Sequence, residues 1–134
     1  MSNRAYGLVA SCLSLSLTAT AACAGTLASG LLFGGTAQTG FACNVINVSA
    51  APQKVFNPQA HGVIQANTCG GPSLTAAATL PPGGSCTFVG SVSRGQYAQC
   101  TITTGPLTDP STLRGTIDVR SNNGTVVLQT GEMR

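Results

Sequence analysis

A chain of 134 residues has room for one domain. Only 7% of it is charged and the net charge is +3. The bases after the N-terminal region (Lys54, Arg94, Arg114, Arg120, Arg134) are scattered and there is no Trp. The chain therefore lacks the basic stripe and stacking platform that nucleic-acid binding needs.

The N-terminus has a processing pattern. Arg4 precedes the uncharged run AYGLVASCLSLSLTATAA, and ACA follows at Ala22–Ala24. A basic start, an apolar stretch and an A-x-A site predict a signal peptide over 1–24, with a second candidate junction after GTA at Ala37. Retention as a membrane anchor is the competing reading, but a segment rich in Ser, Thr and Ala has only a modest drive to insert. TAAC, ending at Cys23, is similar to the bacterial lipobox, with Thr20 where that box has Leu. Without a lipid on Cys23 or a spanning helix, the product has no membrane attachment. Residues 25–40 are expected as a flexible or β-forming lead segment. GLLFG there has the G-x-x-x-G form that packs helices in membranes, but it lies outside a convincing span.

From residue 41 to 134 the expectation is a single all-β domain. No run has helical periodicity, and β-branched runs alternate with turn clusters about every ten residues. FACNVINVS (41–49) is the first strand. QKVFN and GVIQANTC supply one or two more, divided by Pro58 and Gly62. SLTAAATL is open between a short helix and a strand, with Thr75, Thr79 and the following turn favouring the strand. TLPPGGSCTFVG is a Pro-Gly reversal leading into SCTFVGSV. In QYAQCTITT, Ala98, Cys100 and Ile102 share one face and Gln99, Thr101 and Thr103 the other, the mark of a strand buried on one side. LRGTIDVRSNNGTVVLQTGEMR reads as a hairpin with Asn123-Gly124 in a type I′ turn, which opposes Val119 to Leu128 and Asp118 to Gln129. Six to eight short strands suit an antiparallel two-sheet sandwich of immunoglobulin-like size, with a small antiparallel barrel as the alternative.

Of six cysteines, Cys12 and Cys23 fall in the signal segment, leaving Cys43, Cys69, Cys86 and Cys100. An even number in a small exported domain points to disulfides. Zinc sites bring ligands in close C-x-x-C or H-x-x-x-H pairs, absent here, and His61 stands alone, so no metal is expected. Nothing beside Cys86 marks it as a nucleophile. Three connectivities are open. The turn-rich segment between Cys69 and Cys86 favours closing that loop, worth about 3 kcal/mol in the chain-entropy model, and leaves Cys43 with Cys100 across the core.

FACNVINVSAAPQKV followed by LPPGGSCTF resembles immunoglobulin-like domains of exported bacterial proteins, in which an N-V-S segment opens the sandwich and an L-x-P-G-x-S-C turn leads into a later strand. The second motif is similar to one in bacterial relatives of the abnormal-spindle and hydin domain family. Those relatives continue into an F-x-P strand, where this chain has VGSVSRGQYAQC. The resemblance implies the fold and a periplasmic or extracellular location, and names no ligand.

No catalytic constellation is legible. The acids are Asp109 in a TDPS turn, Asp118 on the solvent face of the hairpin and terminal Glu132. Acid–base hydrolysis needs two converging groups, and His61 has no partner in sequence. No G-x-S-x-G elbow occurs. NVS at Asn47 and NGT at Asn123 match the glycosylation pattern, which means little for a bacterial chain. Phe41 and Phe88 are expected in the core and Tyr97 at the rim; with no Trp and one Tyr after the signal, an aromatic sugar platform is not expected. The expected function is a cofactor-free, exported structural or interaction module, with TVVLQTGEMR as a sheet edge for a protein partner. A small secreted enzyme or inhibitor, and a lipid-anchored surface protein, are the alternatives.

Overall fold

A computed structural model describes residues 24–106, 108–121 and 125–134. Their elements are β1 (Thr26–Ala28), β2 (Gly40–Asn47), β3 (Gln53–Ala60), β4 (Val63–Asn67), β5 (Ala78–Leu80), β6 (Ser85–Ser91), β7 (Cys100–Thr104), β8 (Leu113–Ser121) and β9 (Val126–Met133). Three 3₁₀ turns join them, and the described residues contain no α-helix. All pairings are antiparallel. The strands form a four-stranded sheet in the order β1-β7-β3-β5 and a five-stranded sheet in the order β4-β6-β2-β8-β9. Neither closes into a barrel.

Period-2 alternation builds the layer between the sheets. Leu113, Gly115, Ile117, Val119 and Ser121 of β8 are buried, while Arg114, Thr116, Asp118 and Arg120 point away. On β7, Cys100 and Ile102 are buried with Ala98 just before them, as the face assignment expects. Phe41 and Phe88 join Val45, Val55 and Leu80 in the same core.

Two disulfides tie this layer, and both pair as the loop argument favours. Cys43–Cys100 links central β2 of one sheet to inner β7 of the other, with Cα atoms 6.4 Å apart. Cys69–Cys86 closes the loop through β5, with Cα atoms 5.1 Å apart. That loop contains the Pro-Pro-Gly-Gly reversal. Gly84 N–H donates to Pro81 O at 2.7 Å and Gly83 has φ +71°. This is the type II geometry that places proline second and glycine third.

The structure revises three expectations. Residues 25–40, read as a flexible or β-forming lead, take the β-forming course and belong to the sandwich instead of preceding it: they supply β1 and place Leu27 in the core. Pro58 does not end a strand. β3 runs through it to Ala60, with Phe56 opposite Thr103 and Gln59 opposite Thr101, so one extra residue bulges where Asn57 has φ 51°. A bulge accommodates the missing proline N–H without ending the ladder. In the last hairpin, Arg120 opposes Val127 as expected, but then Val119 opposes Gln129 and Asp118 opposes Thr130. A bulge at Leu128 shifts the expected Val119–Leu128 and Asp118–Gln129 pairs by one. The Asn123-Gly124 turn lies outside the described residues. SLTAAATL combines its two readings, with a 3₁₀ turn at Leu74–Ala76 followed by β5.

Candidate functional site

β9 is the outermost strand of the five-stranded sheet, and its two ends differ. At the C-terminal end the first strand seals it. Ala28 and Arg134 exchange two backbone hydrogen bonds of 2.8 Å, and Ser29 bridges Met133. Leu27 and Met133 are buried together over Gly115, where an added Cβ would meet both side chains. At the N-terminal end no strand among the described residues pairs with it beyond β8. The Leu128 bulge ends the alternation there, and Val126, Val127 and Leu128 stay 44%, 51% and 37% exposed.

The segment after β1 borders this open end. Leu32 exchanges backbone hydrogen bonds with Ala98, Phe33 N–H donates to Gln129 Oε1 at 3.1 Å, and the Phe33 ring lies 5.5 Å from Tyr97. Phe33 and Tyr97 are both about half exposed. Apolar side chains thus collect beside the outer strand of the sheet, the two requirements for adding a strand. The tail was expected to be an edge along its whole length. The structure restricts this to the part before Met133, because the partner of the remainder is β1, in the segment read as flexible or β-forming.

The other edges are shorter. β1 and β5 have three residues each and β4 five, against eight for β9. Short edges resist pairing.

The acidic residues engage local partners. Asp118 accepts from Arg120 Nη2 at 3.1 Å and Thr130 Oγ1 at 2.8 Å, bridging β8 and β9 on the outer face, and is more enclosed than a solvent-face residue was expected to be. Asp109 accepts from Ser111 N–H at 2.9 Å as the cap of the 3₁₀ turn Pro110–Thr112. This bond, with one from the Ser111 hydroxyl, holds its carboxyl below the usual range. Glu132 pairs with Arg134 at 2.9 Å in an exposed contact. Among the described residues no ion pair within 4.0 Å includes His61. His61 borders a hollow of about 250 Å³ with Gln59, Ala60, Gln99 and Thr101, none of them acidic. A groove of about 550 Å³ lies at the sealed end, beside Leu27, Leu113 and Met133. Of its two arginines, Arg114 is turned onto the carbonyls of Ser111 and Leu113 and Arg134 onto Glu132. No group of three or more His, Cys, Asp or Glu able to hold a metal occurs among the described residues.

Asn47 of the N-V-S motif has a structural role that the sequence reading did not assign. It is fully buried; its side-chain nitrogen donates to Ala51 O at 2.7 Å and Leu80 O at 2.9 Å, and its oxygen accepts from Ser49 N–H and Oγ. Its backbone exchanges 2.9 Å hydrogen bonds with Gly83 and Gly84. The two sequence motifs are therefore one unit, in which Asn47 anchors the Pro-Pro-Gly-Gly turn. A side chain so enclosed is no glycosylation acceptor; Asn123 lies outside the described residues.

The disulfides point to an oxidising, non-cytoplasmic environment. No described helix is long and apolar enough to cross a membrane. In comparisons with protein-family models, curated proteins and solved structures, nothing matches the chain.

Proposed function

We propose that this protein is an exported, disulfide-stapled module of immunoglobulin-like type that binds a protein partner by strand addition at the open end of β9, without catalysis. The observation that carries the reading is an outermost strand with Val126, Val127 and Leu128 exposed and, among the described residues, no strand paired with it beyond β8. Extension of the sheet supplies main-chain hydrogen bonds, and the Phe33–Tyr97 pair supplies adjoining apolar area. The matching partner offers an extended, uncharged, β-branched strand, because Thr125–Gly131 carries no charge.

The N-terminal pattern, the paired cysteines and the resemblance to exported bacterial domains support a bacterial envelope or extracellular location. The engagement of Asp109, Asp118 and Glu132 by local partners supports the non-catalytic reading.

Deleting the tail would be a poor test, since it removes buried Met133 and the seal with Ala28. A better one compares cross-linked partners of the exported wild type with those of Val127→Glu and, at the opposite edge, Val63→Glu. Loss of the partner with Val127→Glu alone is the expected result. Retention in Val127→Glu, or loss only in Val63→Glu, overturns the assignment.

A further inference from the structure

The two candidate processing junctions enclose residues 25–37, and these residues are built into the sandwich. Thr26, Leu27 and Ala28 pair with Thr103, Ile102 and Thr101 of β7. The Ser29 hydroxyl accepts the buried Cys100 N–H at 2.9 Å. Leu32 and Ala98 exchange backbone bonds of 2.9 and 2.8 Å, and Ala28 seals the end of β9 through Arg134. Cutting after Ala37 would remove all of these and uncover the core where Leu27 meets Met133.

The new N-terminus also separates the two sites. After a cut at Ala37 the terminal ammonium would belong to Gln38, which is fully buried. Its side chain donates to the carbonyls of Ser93 and Gln96 and accepts from Gly34 N–H, and its own N–H points to Gly35 O. Gly34 and Gly35, which hold and help cover Gln38, would leave with the removed segment, so the cut would break the bonds that seat this residue and charge its nitrogen. Ala24, by contrast, is exposed and Gly25 half-buried. Gly25 N–H donates to Thr104 Oγ1 at 2.9 Å and Gly25 O accepts Thr104 N–H at 2.8 Å. An ammonium there keeps the Thr104 hydroxyl as acceptor, with solvent for its remaining hydrogens. A Cβ at residue 25 would come within 2.5 Å of Pro110 Cγ, so the position calls for glycine.

We infer that the Ala24–Gly25 bond is the processing site and that Gly25 opens the mature chain, its ammonium docked on Thr104. The inference rests on the export reading above. A signal peptidase selective for small side chains at Ala22 and Ala24 adds water across this amide: the C–N bond breaks, Ala24 leaves as a carboxylate and Gly25 retains the ammonium.

The test expresses the full chain in an exporting bacterium and reads the product by intact mass and N-terminal sequencing, alongside Ala24→Lys and Ala37→Lys. The expected product begins at Gly25 in the wild type and in Ala37→Lys, and is lost in Ala24→Lys. An exported chain that begins at Gln38, or that carries a diacylglyceryl adduct on Cys23, overturns the junction but leaves export standing. A full-length chain confined to the cytoplasm overturns both.

Discussion

The two ends of β9 belong to one strand yet have opposite fates. Near Met133 the strand is buried and hydrogen-bonded on both sides, whereas at Val126–Leu128 it is exposed and, among the described residues, paired with a strand on one. Local composition does not explain the difference, since the exposed end is the more apolar. Coverage by β1, a three-residue strand from the opposite end of the chain, does. An edge is therefore managed by whatever the fold brings beside it, and a short strand is enough to close one end.

The largest expected effect on this contrast comes from the inter-sheet disulfide. Cys43→Ala/Cys100→Ala should cost about 4 kcal/mol in denaturant unfolding, because the bond closes a loop of 57 residues. It also frees β7, on which β1 is laid, so amide exchange at Ala28 should rise more than that at Cys86. Cys69→Ala/Cys86→Ala should cost about 3 kcal/mol and spare Ala28. Equal exposure of Ala28 in both variants would mean that the seal follows global stability rather than the β1–β7 contact.

Leu27→Ala comes next, at about 2–4 kcal/mol for a buried leucine and a fall in Tm of roughly 10–20 °C. A loss under 1 kcal/mol would mean that the sealed end is held by its backbone bonds alone. Ser29→Ala should cost about 1–2 kcal/mol, since it strands the buried Cys100 N–H; rescue by Ser29→Thr would separate the hydroxyl from simple packing.

Much of this arrangement was legible in the sequence wherever the deciding physics is local. The alternation of Ala98, Cys100 and Ile102 needs only the pleat of one strand, and the Pro-Pro-Gly-Gly reversal only backbone dihedrals. Of the three open connectivities, the one favoured by the turn-rich loop between Cys69 and Cys86 is the one observed. What was not legible depends on distant partners. β1 is too short to show a period, and its neighbours are Thr101–Thr103 and Arg134. The Leu128 bulge sits in the continuous run Val126–Leu128, which names no face. For the same reason the tail could be read as an edge, but not as one sealed at its end.

Acid probes the sealed end more gently. Asp109 caps the 3₁₀ turn whose Pro110 lies against Gly25, and its carboxyl is held below the ordinary value by the Ser111 N–H. A depressed folded-state pKa stabilises fully above the unfolded value of about 3.9 and is lost as pH falls through the folded one. The stability advantage of wild type over Asp109→Asn should therefore be present at about pH 5 and shrink toward pH 2. An advantage that grows on acidification would reverse the sign.

The smallest effect on stability belongs to the open end. Val127 opposes Arg120 and is half exposed, so Val127→Glu removes little buried area and sets a carboxylate opposite a guanidinium. Its unfolding free energy should stay within about 0.5 kcal/mol of wild type, as for other surface changes. The same charge on an edge strand opposes docking of an uncharged strand, so binding should fall while the fold stands. That dissociation distinguishes the two ends of β9: at Leu27 stability and binding fall together, and at Val127 only binding does. A Val127→Glu protein that unfolds as readily as Leu27→Ala would show that the exposed valine is structural, and the distinction between a sealed end and an open one would not hold.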